Sequence, residues 1–406
     1  MNFIDGLINN LRNKLIDYKT LVDRVYMVSW IIYFTHVFLL TTMFPFDLPR
    51  AVSLLSIVGA FVASMYRILY ISKREWRDIC LIFLMLTAAV GNMIVLCQRY
   101  LIYFTFMVIG AKDVSFKRIV KLTLIVGICI MLATVAASQL GIIEDLVYNS
   151  RGGHHAHALG ICFTTDFAAH VLFLLLGYGY LREAKFNNIE YVCLISLAFI
   201  LFKFTRARND SICIVLFIAA TFLYHYVLIN PRFNIAETLR KIAVFTCIAG
   251  IAICITLTIV LTIKYPIDNR MFAAIDEVLG GRFRMGHQAY LDYGITLFGS
   301  DIPQMGYGGN TNYQGWYFFL DCSYVAILFC KGITAFICMI WIECKCIAKS
   351  LKDNIYLLII LAIIALQCVF EHHWQELAYN IFVLMTFANI QVRNEDEHVI
   401  DMNLSK

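Results

Sequence analysis

The chain is a succession of apolar runs, most of them long enough to cross a lipid bilayer, and this pattern excludes nearly every soluble fold. Crossing the hydrocarbon takes about 20 residues at 1.5 Å each, so an apolar stretch of about 18 or more with few charges reads as a spanning helix. Such stretches, some of them short, occur at 26–44, 51–70, 79–96, 97–111, 119–139, 159–181, 189–204, 211–229, 242–263, 323–345, 355–371 and 375–391. The third and fourth share one run, as do the last two. Each of these runs is read as two short or tilted helices, hinged near Gln98-Arg99 and near Glu371-His372. Hydrophobic residues make up 61% of the chain and charged ones 15%, which leaves too little polar surface for a water-soluble domain of this length. The five prolines, Pro45, Pro49, Pro231, Pro266 and Pro303, fall between the runs, where the ring breaks no helix. No stretch alternates long enough for a membrane barrel. The expected fold class is all-α: a polytopic bundle of about twelve transmembrane helices with one large extracytoplasmic loop.

The organisation follows from these runs. Residues 1–25 carry Ile4, Leu7, Ile8, Leu11, Leu15, Tyr18 and Val22 at helical spacing, with Arg12, Lys14 and Lys19 between them. That is the pattern of an amphipathic helix lying on the membrane surface. A cleavable signal is not expected, because the apolar run comes late and no small-residue cleavage site follows it. Nine helices are expected over 26–263, a polar loop over 264–320, three more helices over 321–391 and a short polar tail over 392–406. If the N-terminus is cytoplasmic, every short inner loop is basic: Lys73, Arg74 and Arg77; Lys112, Lys117, Arg118 and Lys121; Arg182 and Lys185; Arg232, Arg240 and Lys241; Lys345, Lys349 and Lys352. This is the distribution the positive-inside rule requires, and it places both termini in the cytoplasm.

The charges left on the outer side are the informative ones. They are Arg151 with His154, His155 and His157; Lys203, Arg206 and Arg208; Arg270, Arg282, Arg284 and His287; and Glu371, His372, His373 and Glu376. Arginines that defy the topological bias point to a local task, and their planar fork suits bidentate contact with phosphate. If the four segments converge, they form one basic extracytoplasmic cavity for an anionic, phosphorylated ligand. Asp166, an ionisable residue about two turns from the outer end of its span, is a candidate to line that cavity. Lys331 is read as a snorkelling or paired side chain.

Several segments resemble, in order and spacing, the Wzy-type polysaccharide polymerases, membrane enzymes that join lipid-linked repeat units of O-antigen, capsule or exopolysaccharide. Arg151 followed by His157-Ala158-Leu159-Gly160 resembles the family's arginine-to-Leu-Gly helix start. Thr205-Arg206-Ala207-Arg208-Asn209-Asp210-Ser211 resembles its short arginine loop. Gly281-Arg282-Phe283, then Tyr293-Gly294 and Leu297-Phe298-Gly299, resemble the large-loop signature. Asp321-Cys322-Ser323-Tyr324 with Lys331-Gly332-Ile333 is similar to the acidic-Ser-Tyr helix start and its later Gly-Ile, and Glu371 with Asn380 to the closing helical pair. Phe163-Thr164-Thr165-Asp166 departs from the His-Pro-Asn-like stretch of many members, so the role of that helix start is left open.

The resemblance implies a GT-C-like glycosyltransferase of the bacterial plasma (inner) membrane. Such an enzyme moves a growing glycan from undecaprenyl diphosphate onto a second lipid-linked repeat unit at the outer face. A departing diphosphate gathers charge that preorganised arginines offset, and the acceptor hydroxyl needs a carboxylate or histidine as base. Arg151, Arg206, Arg208, Arg282 and Arg284 are therefore the expected diphosphate contacts. Glu371 is the expected base, with His157 and His372 as alternatives, and Asp166 and Tyr324 as cavity residues. The implied partners are the undecaprenyl-diphosphate-linked oligosaccharide, membrane lipid and a chain-length regulator.

Other chemistry is less well supported. His154, His155 and His157, or His372, His373 and Glu376, have spacing that gathers metal ligands on one turn, but neither set completes a signature, so no metal and no cofactor is expected. The glycine-rich stretches lack Walker and dinucleotide patterns, and no nucleic acid is expected as a partner. The 14 cysteines lie almost all in or beside apolar runs, as small hydrophobes. Two alternatives stand beside a polymerase. An O-antigen-ligase-like transferase usually carries a prominent loop histidine, for which His287 is the candidate. A transporter of lipid-linked oligosaccharide is expected to show internal repeats and broken helices meeting mid-membrane, and neither is evident in the sequence.

Overall fold

A computed structural model describes residues 18–45, 49–69, 75–149, 154–228, 236–266, 268–306 and 317–390. Residues 1–17 of the expected surface helix, Arg151, the second glycine cluster beyond Gly306 and the tail lie outside these residues, as do Lys73, Arg74 and Arg232; the rest of that expected helix, 18–25, instead runs into the first long helix, where Val22 is buried. The fold is mostly helical. The helices are α1 Lys19–Leu39, α2 Arg50–Leu69, α3 Trp76–Leu96, α4 Tyr100–Gly110, α5 Phe116–Gln139, α6 Thr164–Arg182, α7 Asn188–Thr205, α8 Arg208–Leu223, α9 Ala236–Ile263, α10 Arg270–Val278 and α11 Arg282–Tyr293. They are followed by α12 Ser323–Asp353, interrupted by a wide turn at Ile327–Lys331, and α13 Tyr356–Gln367. Among the described residues, seven helices are long and apolar enough to cross a membrane: α2, α3, α5, α7, α8 with its extension to Leu228, α9 and α12. α4 and α13 are shorter apolar helices, and α1 and α6 have spanning length but bury Ser29 and His170.

Each apolar run up to 355–371 coincides with one of these helices, and local signals fix their ends. Cys97 adopts the left-handed conformation (φ 55°) and closes α3 three residues before α4 begins, at the expected Gln98-Arg99 hinge. Asn187 and Glu190 form a reciprocal capping box at the start of α7. Phe83, Ile94, Phe199, Phe245 and Ile253 project outward from α3, α7 and α9, a surface suited to lipid and costly in water. Arg67, buried on α2, is ion-paired with Asp23 of α1, as a charge inside such a bundle must be.

The last run corrects the expectation. Residues 375–390 form no α-helix; the chain from Glu371 to Ile390 is a series of turns with one 3-10 turn at Ile381–Thr386, and nearly all of it is buried. It passes from the end of the bundle where Ser323 starts α12 to the opposite end, where Asn389 bonds with Val114 and Phe116 between α4 and α5. Irregular backbone at such depth is tolerated only where protein satisfies it. Here Ser323 Oγ bonds the Glu371 carbonyl and the Trp374 amide, Tyr100 Oη donates to the Gln375 carbonyl, and Lys349 Nζ donates to the carbonyls of Met385 and Ala388. Apolarity signalled burial correctly; the neighbours' polar side chains, spread over α4 and α12, decided that the buried segment need not be helical.

The described residues of the 264–320 segment form a folded cap. α10 and α11 meet at Gly280-Gly281, both left-handed, and Asp276 accepts from the amides of Phe283 and Arg284, which fixes the first turn of α11. Farther on, Phe298 dips into the bundle, where its carbonyl accepts from Asn92 of α3. Beside it, Gly299 (φ 97°) faces Gly332 (φ 90°) at the break in α12. A Cβ on Gly299 would stand 2.3 Å from the Cys330 carbonyl oxygen, so only glycine lets these backbones touch.

Candidate functional site

At the Ser323 end of the bundle a cavity of about 340 Å³ opens between α6, the α7–α8 junction, the cap and the turn after α13. Asp166, Arg206, Arg282, Asp321, Glu371 and His372 line it, with the aromatic rings of Tyr148, Phe163, Tyr317 and Phe319. Residues distant in the sequence thus meet in one place; of the four outer groups of charge, those of Arg206, Arg282 and Glu371-His372 contribute charged side chains to it, and His154, His155 and His157 do not.

Arg206 owes its position to backbone geometry. It is the left-handed residue (φ 55°) that ends α7, which turns the side chain over the Phe202 ring at 5.6 Å and leaves Nε buried without a hydrogen-bond partner. Arg282 is held more tightly. Its Nε donates to the Phe370 carbonyl at 2.7 Å and Nη1 to the Leu279 carbonyl at 2.8 Å. Nη2 lies 3.5 Å from Asp321 Oδ2 and 3.6 Å from Glu371 Oε1. Two of its nitrogens lock the guanidinium in place, and the third faces carboxylates across the cavity. Glu371 is buried, its carbonyl fixed by Ser323.

Beside the cavity stands a second ionisable group. His373 is fully buried; its Nδ1 lies 2.9 Å from Glu376 Oε2 and its Nε2 lies 4.0 Å from Asp166 Oδ1. His372 Nε2 is 3.5 Å from Glu376 Oε1. The His373 ring is clamped in a stack that runs from Phe38 through His170 and Tyr379, with centroids 3.9–4.1 Å apart.

Four expected site residues are not brought to the cavity. In strand β2 (His155–His157), which pairs with β1 (Val147–Asn149), Ala156 lines the cavity, so alternation turns His157 away, onto Asp145 at 2.7 Å. Arg208 is exposed, two residues beyond Arg206 and already in the first turn of α8. Arg284 is exposed because positions two apart on α11 do not share a face. Tyr324 is buried, and its hydroxyl donates to the Ala365 carbonyl at 2.9 Å, tying α12 to α13.

The expected basic character is also corrected. Arg206 and Arg282 are met by Asp166, Asp321 and Glu371 at the wall, with Glu376 behind His372 and with Asp210 buried, one oxygen on Gln367 and the other without a partner. Asp210 and Asp321 stood in the motifs but drew no role from the sequence. Their signal was position, since each carboxylate lies within three residues of a helix start at the end of an apolar run. No family model, curated protein or solved structure matches this chain.

Proposed function

We propose that this chain is a membrane glycosyltransferase of the polysaccharide-polymerase kind, working on lipid-diphosphate-linked repeat units with the Arg282 end of the bundle outside the plasma membrane. In this reading the chain crosses the membrane twelve times, the last crossing being the irregular segment that ends at Ile390. The observation that carries the proposal is the convergence of Arg206, Arg282 and Glu371 on one cavity bounded by aromatic rings, the surface a sugar diphosphate requires.

The chemistry follows from the charges. The acceptor hydroxyl attacks the anomeric carbon of the donor glycan and its proton passes to the Glu371 carboxylate. The bond from that carbon to the diphosphate oxygen breaks, and the electron pair stays with the diphosphate. Arg206, whose Nε has no protein partner, and the Nη2 of Arg282 offset that charge in a water-poor site. His372, on the same wall, is the alternative base. The ligase alternative rests on His287, whose Nδ1 bonds the Thr262 carbonyl at 2.9 Å and whose ring stacks on Tyr265; it does not line the cavity.

The test is the surface glycan of cells lacking the gene, sized by gel after complementation. Single repeat units in place of long chains, restored by wild type and not by Arg282→Ala, are expected. Full-length polymer left on its lipid carrier would make the protein a ligase, and unchanged glycan would remove it from the pathway.

A further inference from the structure

His372, His373 and Glu376 meet beside the site cavity, and the transfer chemistry draws on them only for His372 as the alternative base. Each offers a ligand atom, and these atoms all lie within 4.8 Å of one another. Three cavities meet there. His372 borders both the site cavity and a neighbour of about 310 Å³ that also holds Lys331 and Gln98. Glu376 borders that neighbour and a third, of about 400 Å³, between α1, α2 and α4.

From these observations we infer that His372 Nε2, His373 Nδ1 and a Glu376 carboxylate oxygen form a site for a divalent transition-metal ion, zinc above all. Two imidazoles and one carboxylate are the donor set of a borderline ion; magnesium and calcium prefer all-oxygen shells. In a tetrahedral site with bonds of about 2.0–2.1 Å, neighbouring ligand atoms stand roughly 3.3 Å apart. The observed separations, 2.9 Å from Glu376 Oε2 to His373 Nδ1 and 3.5 Å from Glu376 Oε1 to His372 Nε2, bracket that value, one for each carboxylate oxygen.

The second ring nitrogen of His373 gives independent support. Nε2 is fully buried, lacks a hydrogen-bond partner and points at Asp166 Oδ1 4.0 Å away. A ligating histidine almost always presents its other N–H to a carboxylate, which fixes the tautomer and strengthens the metal bond. Asp166 is placed for that task, as a positioning residue. The stack on Tyr379, at 3.9 Å, holds the ring plane in advance. Electrostatics argue the same way, since five carboxylates (Asp166, Asp210, Asp321, Glu371 and Glu376) surround two arginines, and a divalent cation reduces their mutual repulsion. The fourth ligand position would face the site cavity, open to water or to an oxygen of an anionic ligand. This inference rests on the protein ligands and not on the transfer reaction, so either can fail alone.

The experiment uses the full chain in detergent micelles, purified through a tag without histidine, stripped with a chelator and then offered zinc chloride. Zinc retained through gel filtration is counted by elemental mass spectrometry. About one ion per chain is expected for the wild type, none for His373→Ala or Glu376→Gln, and binding 10–100-fold weaker for Asp166→Asn. His155→Ala, on the exposed face of β2, is expected to retain zinc like the wild type. Equal retention by His373→Ala, or no retention by the wild type, would overturn the site. Should the histidine variants fail to fold, X-ray absorption on the zinc-loaded wild type decides: two imidazoles with oxygen support the assignment, and a sulfur-containing or all-oxygen shell refutes it.

Discussion

Arg282 and Arg284 differ by two positions on one helix, yet only Arg282 reaches the cavity. Its guanidinium is clamped by the carbonyls of Phe370 and Leu279, whereas Arg284 is exposed. Arg282→Ala is therefore expected to lower polymer yield by a factor of about 100 or more, the scale of losing a preorganised charge-stabilising donor. Arg284→Ala is expected to leave yield near wild type, measured on the same glycan gels. Equal losses in both would remove the distinction drawn from geometry. Tyr324 separates role from resemblance in another way. Tyr324→Phe removes the donor to the Ala365 carbonyl, and a cost of about 1 kcal/mol is expected in thermal unfolding, with glycan length unchanged.

At the scale of elements, the irregular segment from Glu371 to Ile390 depends on side chains lent by its neighbours. Lys349 on α12 caps two carbonyls of that segment, those of Met385 and Ala388. Lys349→Met keeps most of the packing and strands both oxygens. A loss of about 1–3 kcal/mol is expected from the unsatisfied acceptors, read as a lower unfolding temperature in detergent. A variant as stable as wild type would mean that water or a shifted chain satisfies those groups. The break in α12 is a second such dependence. Gly332→Ala would place a Cβ 2.4 Å from the Gly299 amide nitrogen in a left-handed backbone, so loss of folded protein is expected on gel filtration.

For the whole molecule, the two ends of the bundle carry different kinds of charge. The Ser323 end holds the cavity and its carboxylates. At the opposite end Lys112 and Lys345 pair with Asp78, so part of the basic excess there is used for packing. If the positive-inside rule governs insertion, reporter enzymes fused after Thr296 and after Asp353 should read out on opposite sides of the membrane, with the Thr296 fusion outside. The reverse result would invert the topology and place the cavity in the cytoplasm.

The sequence by itself determined that this chain is mostly helical, with helices long and apolar enough to cross a membrane, because the length and apolarity of each run act locally and need no knowledge of the partners. It also singled out Arg206, Arg282, Glu371, His372 and Asp166, which line one cavity, since charges stranded at the ends of apolar runs carry a cost that points to a task. Only the tertiary structure decided which of several neighbouring charges share a cavity, because Arg208, Arg284 and His157 differ from their useful neighbours by a helix face, a left-handed residue or one step of strand alternation. It alone decided that the last apolar run is not a helix, since the backbone's partners there come from Tyr100, Ser323 and Lys349, far away in sequence. The carboxylate-rich character of the site was hidden for the same reason. Asp166, Asp210, Asp321, Glu371 and Glu376 are separate single charges along the chain, and only packing makes them neighbours.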